Sequence, residues 1–173
     1  TLGSGYTGGK NVDVANLENI DFFGSSVSLN AAGDHLAVGA ERDAGAGNVA
    51  NKTGAVYLFS FADTNFNGGA LESTIGKGYT GGKNVDVTEL EDSDRFGQSV
   101  SMNGVGDRLA VGASLDDGAG NVANNTGAVY LFRFSGGPLA PSMADFSENA
   151  GGDSKVLTAD IEALLDAGTD VTL

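Results

Sequence analysis

The sequence predicts an all-β chain of tandem four-stranded antiparallel units. Three observations predict it. A long string repeats unchanged at a fixed offset. The repeated unit divides into short runs of strand character separated by Gly- and Asn-rich turns. One run in each unit is apolar on both faces. The string Gly5-Tyr6-Thr7-Gly8-Gly9-Lys10-Asn11-Val12-Asp13-Val14 returns as Gly78–Val87, 73 residues later. The same offset carries Phe23-Gly24 onto Phe96-Gly97, Leu36–Ala40 onto Leu109–Ala113, Gly45–Asn51 onto Gly118–Asn124, and Gly54–Phe59 onto Gly127–Phe132. Self-similarity at one period marks a duplicated structural unit.

Taken in order, Ser25–Leu29 alternates small polar and apolar residues, with Val27 and Leu29 on one face, and reads as a first strand. Asn30-Ala31-Ala32-Gly33-Asp34 is a turn, because Asn, Gly and Asp accept the positive φ values that hairpins need. Leu36–Ala40 is the second strand. A long Gly- and Asn-rich loop follows from Glu41 to Thr53. Ala55–Phe61 is the third strand, so continuous in Val, Tyr, Leu and Phe that both faces must be buried. After an Asn67-Gly68 turn, Ala70–Ile75 makes a fourth strand, where Glu72, Ser73 and Thr74 suit a solvated edge. Units of four strands with oily inner strands match the blades of a β-propeller, two complete blades in an incomplete ring. The segment from Tyr79 to Arg95 then crosses from the outer edge of one blade to the inner strand of the next. Thr1-Leu2-Gly3 aligns with Thr74-Ile75-Gly76, so residues 1–4 read as the end of a preceding blade, 5–77 as the first repeat and 78–135 as the second.

The pattern breaks after Phe134. Ser135-Gly136-Gly137-Pro138 and Pro141 read as a linker, extending over 136–157. Thr158 then caps a short helix, Ala159–Ala167, with Ile161, Leu164 and Leu165 on one face and Gly168 as its stop. Thr169–Leu173 starts another alternating segment. The alternative is an amphipathic helix that docks on the last blade.

Composition narrows the function. The 173 residues hold 28 Gly, 2 Pro and no Cys, with 23 acidic residues against 9 Lys and Arg and a net charge of −14. Such a surface opposes nucleic acid and anionic lipid as partners, since both require clustered cations. Without Cys there is no thiol nucleophile and no disulfide. The single His, His35, has Arg108 as its counterpart beside a hairpin turn, where a solvated side chain is expected. No serine has a nucleophile-elbow setting, and no Gly-rich stretch has the strand–loop–helix context and Lys of a phosphate cradle. A non-catalytic protein is expected.

The strings Phe23-Gly24-Ser25-Ser26-Val27, Leu36-Ala37-Val38-Gly39-Ala40 and Gly54-Ala55-Val56-Tyr57-Leu58-Phe59 resemble the FG-GAP repeat. The second copy matches with Phe96-Gly97-Gln98-Ser99-Val100, Val111-Gly112-Ala113 and Gly127-Ala128-Val129-Tyr130. That family includes the integrin α-chain propeller and many bacterial surface proteins. The tail, through Leu164-Leu165, Ala167-Gly168-Thr169 and Val171-Thr172-Leu173, is similar to the turn that introduces β-solenoid rungs in filamentous haemagglutinin-like adhesins. Together these resemblances imply a secreted or cell-surface bacterial adhesin, attaching to a host or matrix glycan or protein. The alternative is a structural subunit of an extracellular filament or oligomer, whose partners are neighbouring blades or copies of itself. Integrin-type blades carry a calcium loop between their first two strands. Here that place, Asn30–Asp34 and Asn103–Asp107, is too short and too poor in carboxylates, so the family's calcium site does not carry over.

Two other regions are rich in oxygen. The crossing segment holds Glu89, Glu91, Asp92 and Asp94, a candidate calcium set. The long loops hold Asp43, Asn48 and Asn51 in the first unit and Asp116, Asp117, Asn121 and Asn124 in the second. Loops at one rim of a propeller form its binding surface, so these seven are candidate ligand contacts.

Overall fold

The computed structural model describes residues 1–134 and a two-residue strand at Ser147–Glu148. The described residues are all-β, with no helix and hence no helix long and apolar enough to cross a membrane. The chain opens with β1 (Leu2–Gly3) and β2 (Val12–Asp13), paired in parallel. The first blade follows as β3 (Phe23–Leu29), β4 (His35–Ala40), β5 (Ala55–Ser60) and β6 (Ala70–Gly76), an antiparallel meander in chain order. A short β7 (Val85–Asp86) runs parallel to the end of β6, as β2 does to β1. The second blade is β8 (Phe96–Met102), β9 (Arg108–Ala113) and β10 (Ala128–Arg133), with β11 (Ser147–Glu148) at its edge.

The two copies form separate sheets stacked face to face, as adjacent blades do. They do not close a ring among the described residues. The two-sided third strand is realised in β5. Val56 and Leu58 enter the core between the blades, with Ala37, Phe96, Val111 and Tyr130. Ala55, Tyr57 and Phe59 enter a second core on the opposite face, with Val14 and Val38 and, packed against them, Leu2, Val12 and Leu17. Alternation along one strand therefore sends successive side chains into two different cores.

Gly24 (φ 90°) and Gly97 (φ 85°) sit at matching bulges that interrupt the pairing of β3 with β4 and of β8 with β9. A left-handed residue at such a bulge favours glycine. The residues just before each inner strand, Ile20 and Phe22 in one copy and Ser93 and Arg95 in the other, are left-handed although none is glycine. The crossing segment is thus held in the same unusual backbone shape twice.

Three expectations change. The fourth strand is not a solvated edge, because β7 covers its end and Ser73 and Thr74 are buried; Glu72 is half-buried between Ser60 and Lys83. His35 is buried rather than solvated: its Nδ1 lies 2.5 Å from Asp34 Oδ1 and 3.3 Å from Asn30 Nδ2 in the hairpin turn, whereas Arg108 is exposed. The second blade's fourth position is filled by Ser147–Glu148, inside the stretch read as linker, with Leu131 opposite Ser147 and Tyr130 opposite Glu148. The helix expected at Ala159–Ala167 and the solenoid-like end of the chain lie outside the described residues.

Candidate functional site

The loops joining β4 to β5 and β9 to β10 lie on one rim, and each is fixed at its root by a buried aspartate. Asp43 Oδ2 accepts the Tyr57 hydroxyl at 2.6 Å, and both its oxygens accept the Tyr79 hydroxyl, at 3.0 and 3.1 Å. Its Oδ1 also accepts Gly45 N–H at 2.8 Å. Asp116 repeats the arrangement with Tyr130 at 2.5 Å and Gly118 N–H at 2.8 Å. Burial raises the Asp43 carboxyl above the usual range, partly offset by these donors, and burial together with the Asp43 charge raises both Tyr57 and Tyr79. Each aspartate also closes its loop through its backbone carbonyl: Gly54 N–H donates to Asp43 O and Gly127 N–H to Asp116 O.

Asp43 and Asp116 were expected to touch ligand. The structure buries both, at 1% and 2% exposure, so they anchor the loops instead. The anchoring role was legible only with the tyrosine in view, because Tyr57 and Tyr130 meet their aspartates across 14 residues of chain.

The remaining rim candidates stay at the surface. Asn48, Asn51, Asn121 and Asn124 are exposed and Asp117 is half-buried. Asn48 (φ 54°) and Asn121 (φ 52°) take the left-handed conformation that Asn tolerates, each closing a turn onto a glycine carbonyl, Gly45 or Gly118. Asp117 is partly committed: its Oδ1 accepts Asn125 N–H at 2.6 Å. Sequence reasoning passed over the loop tips themselves. Val49 and Val122 are 88% and 85% exposed, the most exposed large apolar side chains among the described residues. A Val among Asn and Ala in a repeated loop is the signal that would have found them.

Beside the first loop a polar cleft of about 450 Å³ opens between Gly45–Asn48, the turn at Ala15–Glu18, and Gly78–Thr80 with Asn84. The repeated Gly-Tyr-Thr-Gly-Gly-Lys-Asn-Val-Asp-Val string forms one of its walls. Within that string Asp86 accepts Gly78 N–H at 2.6 Å and Asn84 accepts Thr74 N–H at 2.8 Å, so its polar residues rigidify the wall.

The four carboxylates expected to hold calcium do not converge. Asp94 is buried and its Oδ2 accepts Glu91 N–H at 2.6 Å. Asp92 is exposed and its Oδ1 accepts Asn51 N–H from the neighbouring blade at 2.9 Å. Glu89 and Glu91 are exposed. Among the described residues no group of three or more His, Asp and Glu side chains is placed to hold a metal ion. Calcium needs six to eight converging oxygens, and these four carboxylates are not gathered at one point. Burial, opposed by the Glu91 N–H and reinforced by the charges of Asp116, Asp117 and Glu91, leaves the Asp94 carboxyl pushed up to about 6. The Asn30 and Asn103 turns are likewise closed on themselves: Asn103 Oδ1 accepts Gly106, Asp107 and Arg108 N–H groups, each at 3.0 Å, and Asn30 Oδ1 accepts Asp34 and His35 N–H groups, each at 3.1 Å.

No match emerges from comparison with curated proteins. Comparison with known families matches the FG-GAP repeat at residues 16–59 and again at 89–132, half of the chain. Each match runs from the crossing segment through the third strand of a blade, and the two matches stand 73 residues apart, the same offset as the duplicated unit. The chain belongs to the FG-GAP repeat family.

Proposed function

We propose that this chain is a non-catalytic module of a secreted or cell-surface adhesin, attaching to a glycan or matrix protein through the loops of one rim. Repeats of this family are often involved in adhesion or ligand binding and are typical of extracellular or surface proteins. The observation that carries the proposal is the pair of matched loops, each rooted on a buried Asp–Tyr bond and each presenting an exposed valine flanked by asparagines. A loop fixed at its root loses little conformational freedom when its tip is covered, and asparagine amides supply both donors and acceptors to a polar ligand. Two such tips one blade apart offer a bivalent contact, which raises avidity without new chemistry. The polar cleft beside the first loop adds a concave surface next to Asn48.

The test is binding of the full chain to arrayed glycans and extracellular-matrix proteins. Specific binding is expected, and the Val49→Asp/Val122→Asp double variant is expected to lose it at least tenfold while keeping the wild-type melting midpoint. Absence of binding across the array, or binding indifferent to the double variant, removes the rim-loop reading.

A further inference from the structure

The cleft beside the first loop has three walls, and hydrogen bonds fix each of them. The loop wall is tied to the strand after it by Ala46 N–H, which donates to Lys77 O at 2.9 Å, and is closed by Asn48 N–H on Gly45 O. The turn at Ala15–Glu18 is held by Leu17 N–H on Val14 O and by Glu18 N–H on Asp21 Oδ2 at 2.6 Å. The third wall is held by Gly78 N–H on Asp86 and by the buried Tyr79. Gly47 keeps the entrance open, since a Cβ there would meet only Val49 Cγ1, at 3.9 Å. A neighbouring blade leaves the turn wall uncovered. In the second copy the crossing segment is bonded to the first blade through Ser93, Arg95 and Phe96, yet Thr88, Glu89 and Glu91, the counterparts of Ala15, Asn16 and Glu18, stay exposed.

The chemistry of the lining selects a ligand class. Asn16, Glu18, Asn48 and Thr80 line the cleft, are exposed, and make no side-chain hydrogen bond among the described residues. Two amides and a hydroxyl both donate and accept, and the carboxylate accepts. No Lys or Arg lines the cleft, and Lys77, beside Gly78 in the chain, sends its ammonium to Leu90 O. In a chain of net charge −14 such a site repels sulfate, phosphate and carboxylate groups. Tyr79 is the one aromatic residue of the lining; it is buried and its hydroxyl is engaged by Asp43, so a flat apolar ligand has no platform. One carboxylate among three neutral polar groups is a poor cation trap. The set fits an uncharged ligand rich in hydroxyls, and about 450 Å³ suits a small molecule of that kind.

We propose that this cleft is a subsite for a neutral mono- or disaccharide unit. The proposal rests on the reading of this rim as a binding surface and narrows its ligand to an uncharged glycan. Glu18 accepts ring hydroxyls, the Asn16 and Asn48 amides donate to and accept from them on two facing walls, and Thr80 closes the third. Val49 follows Asn48 directly, so a longer glycan seated in the cleft continues over the loop tip. The walls are fixed before the ligand arrives, so little ordering opposes binding.

The test is a titration of the full, isotope-labelled chain, followed by the NMR shifts of its backbone amides. The probes are the neutral disaccharides lactose, maltose, cellobiose and diacetylchitobiose, with sialyllactose and a sulfated heparin disaccharide as charged counterparts. At least one neutral probe is expected to shift the amides of Ala46–Asn48 and Thr80, and the charged probes are not. Glu18→Ala and Asn48→Gly each remove one polar group, the second keeping a residue that tolerates the left-handed backbone, and each is expected to weaken binding about tenfold. Val105→Asp, in the β8–β9 turn at the other end of the sheet, is expected to leave binding unchanged. Melting midpoints equal to the wild type show that the variants are folded. The proposal is overturned if no neutral probe moves these amides, if the charged probes bind as tightly, or if Glu18→Ala and Asn48→Gly both bind like the wild type. Array binding that Val49→Asp/Val122→Asp abolishes, with the cleft amides unmoved by every disaccharide, removes the saccharide assignment alone. Shifted cleft amides with a silent array remove attachment through the loop tips and leave the saccharide assignment standing.

Discussion

Two blades with nearly the same sequence have very different surroundings. Val56 and Leu58 are wholly buried, and their counterparts Val129 and Leu131 are about half exposed. The intrinsic strand character of the two segments is the same, because the residues are the same. What differs is the neighbour. The first blade is packed on one face by the second blade and on the other by Leu2, Val12, Val14 and Leu17, whereas among the described residues the second blade is packed on one face. The stability of stacked repeat units is the sum of what each contributes by itself and what it gains at its interfaces with neighbours.

The largest expected effect breaks that comparison directly. Leu58→Ala removes a side chain from a filled core and is expected to cost about 2–5 kcal/mol, while Leu131→Ala, at a half-exposed position, costs about 1 kcal/mol or less. Urea denaturation of the two variants checks it. Equal losses would mean that the outer face of the second blade is covered in solution.

The loop anchors give the next effect. Tyr57→Phe removes one donor to buried Asp43, which keeps the Tyr79 hydroxyl; Tyr130→Phe leaves Asp116 with the Gly118 N–H. Losing a partner to a buried acceptor costs about 1–3 kcal/mol, so Tyr130→Phe is expected at the upper end and Tyr57→Phe below it. Chemical denaturation ranks the pair, and the reverse order would place the main support of the first loop on Tyr57 alone.

A pH effect follows from Asp94. Its carboxyl titrates at about 6 in the folded chain, above its ordinary value, so the folded state binds the proton more tightly than the unfolded state. Its contribution to stability is present in full below the unfolded carboxylate range and is lost as pH rises through about 6. Asp94→Asn removes this contribution while keeping an oxygen for the Glu91 N–H. The melting midpoint of the variant minus that of the wild type is therefore expected to be larger at about pH 8 than at about pH 5. A difference that is flat across this window would mean that Asp94 is hydrated.

The smallest effect lies at the rim. Val49→Ser and Val122→Ser are expected to change stability by less than about 0.5 kcal/mol, since neither side chain is covered. A larger loss at either tip, read from thermal melting, would show that the loop folds back onto the blade.

Much of the fold was legible in the residues because β-structure with period-two alternation leaves a local trace. The continuous apolar run of Ala55–Phe59 announced a strand buried on both faces, and the structure sends its alternate side chains into two cores. The parallel strands Val12–Asp13 and Val85–Asp86 left no such trace. They are two residues long, and they pair only because the crossing segment turns back beside the outer strand. The fourth strand of the second blade was hidden for a different reason: Ser147–Glu148 pairs with β10 without repeating the sequence of its counterpart. At the rim, the identity of the loops was plain, but which oxygens faced outward was not. Asp43 and Asn48 lie five residues apart in one loop, and what separates them is what approaches through space: a tyrosine hydroxyl reaches the aspartate, and solvent reaches the asparagine.

The amino-acid sequence alone determined that a four-stranded unit is built twice and that its third strand must be covered on both sides, because alternation and repetition are properties of the chain itself. The tertiary structure alone decided which aspartates anchor and which residues present themselves, and which copy of each oily face finds a neighbour. Those outcomes depend on groups brought together across tens of residues, and desolvation acts on the packed environment rather than on the order of residues along the chain.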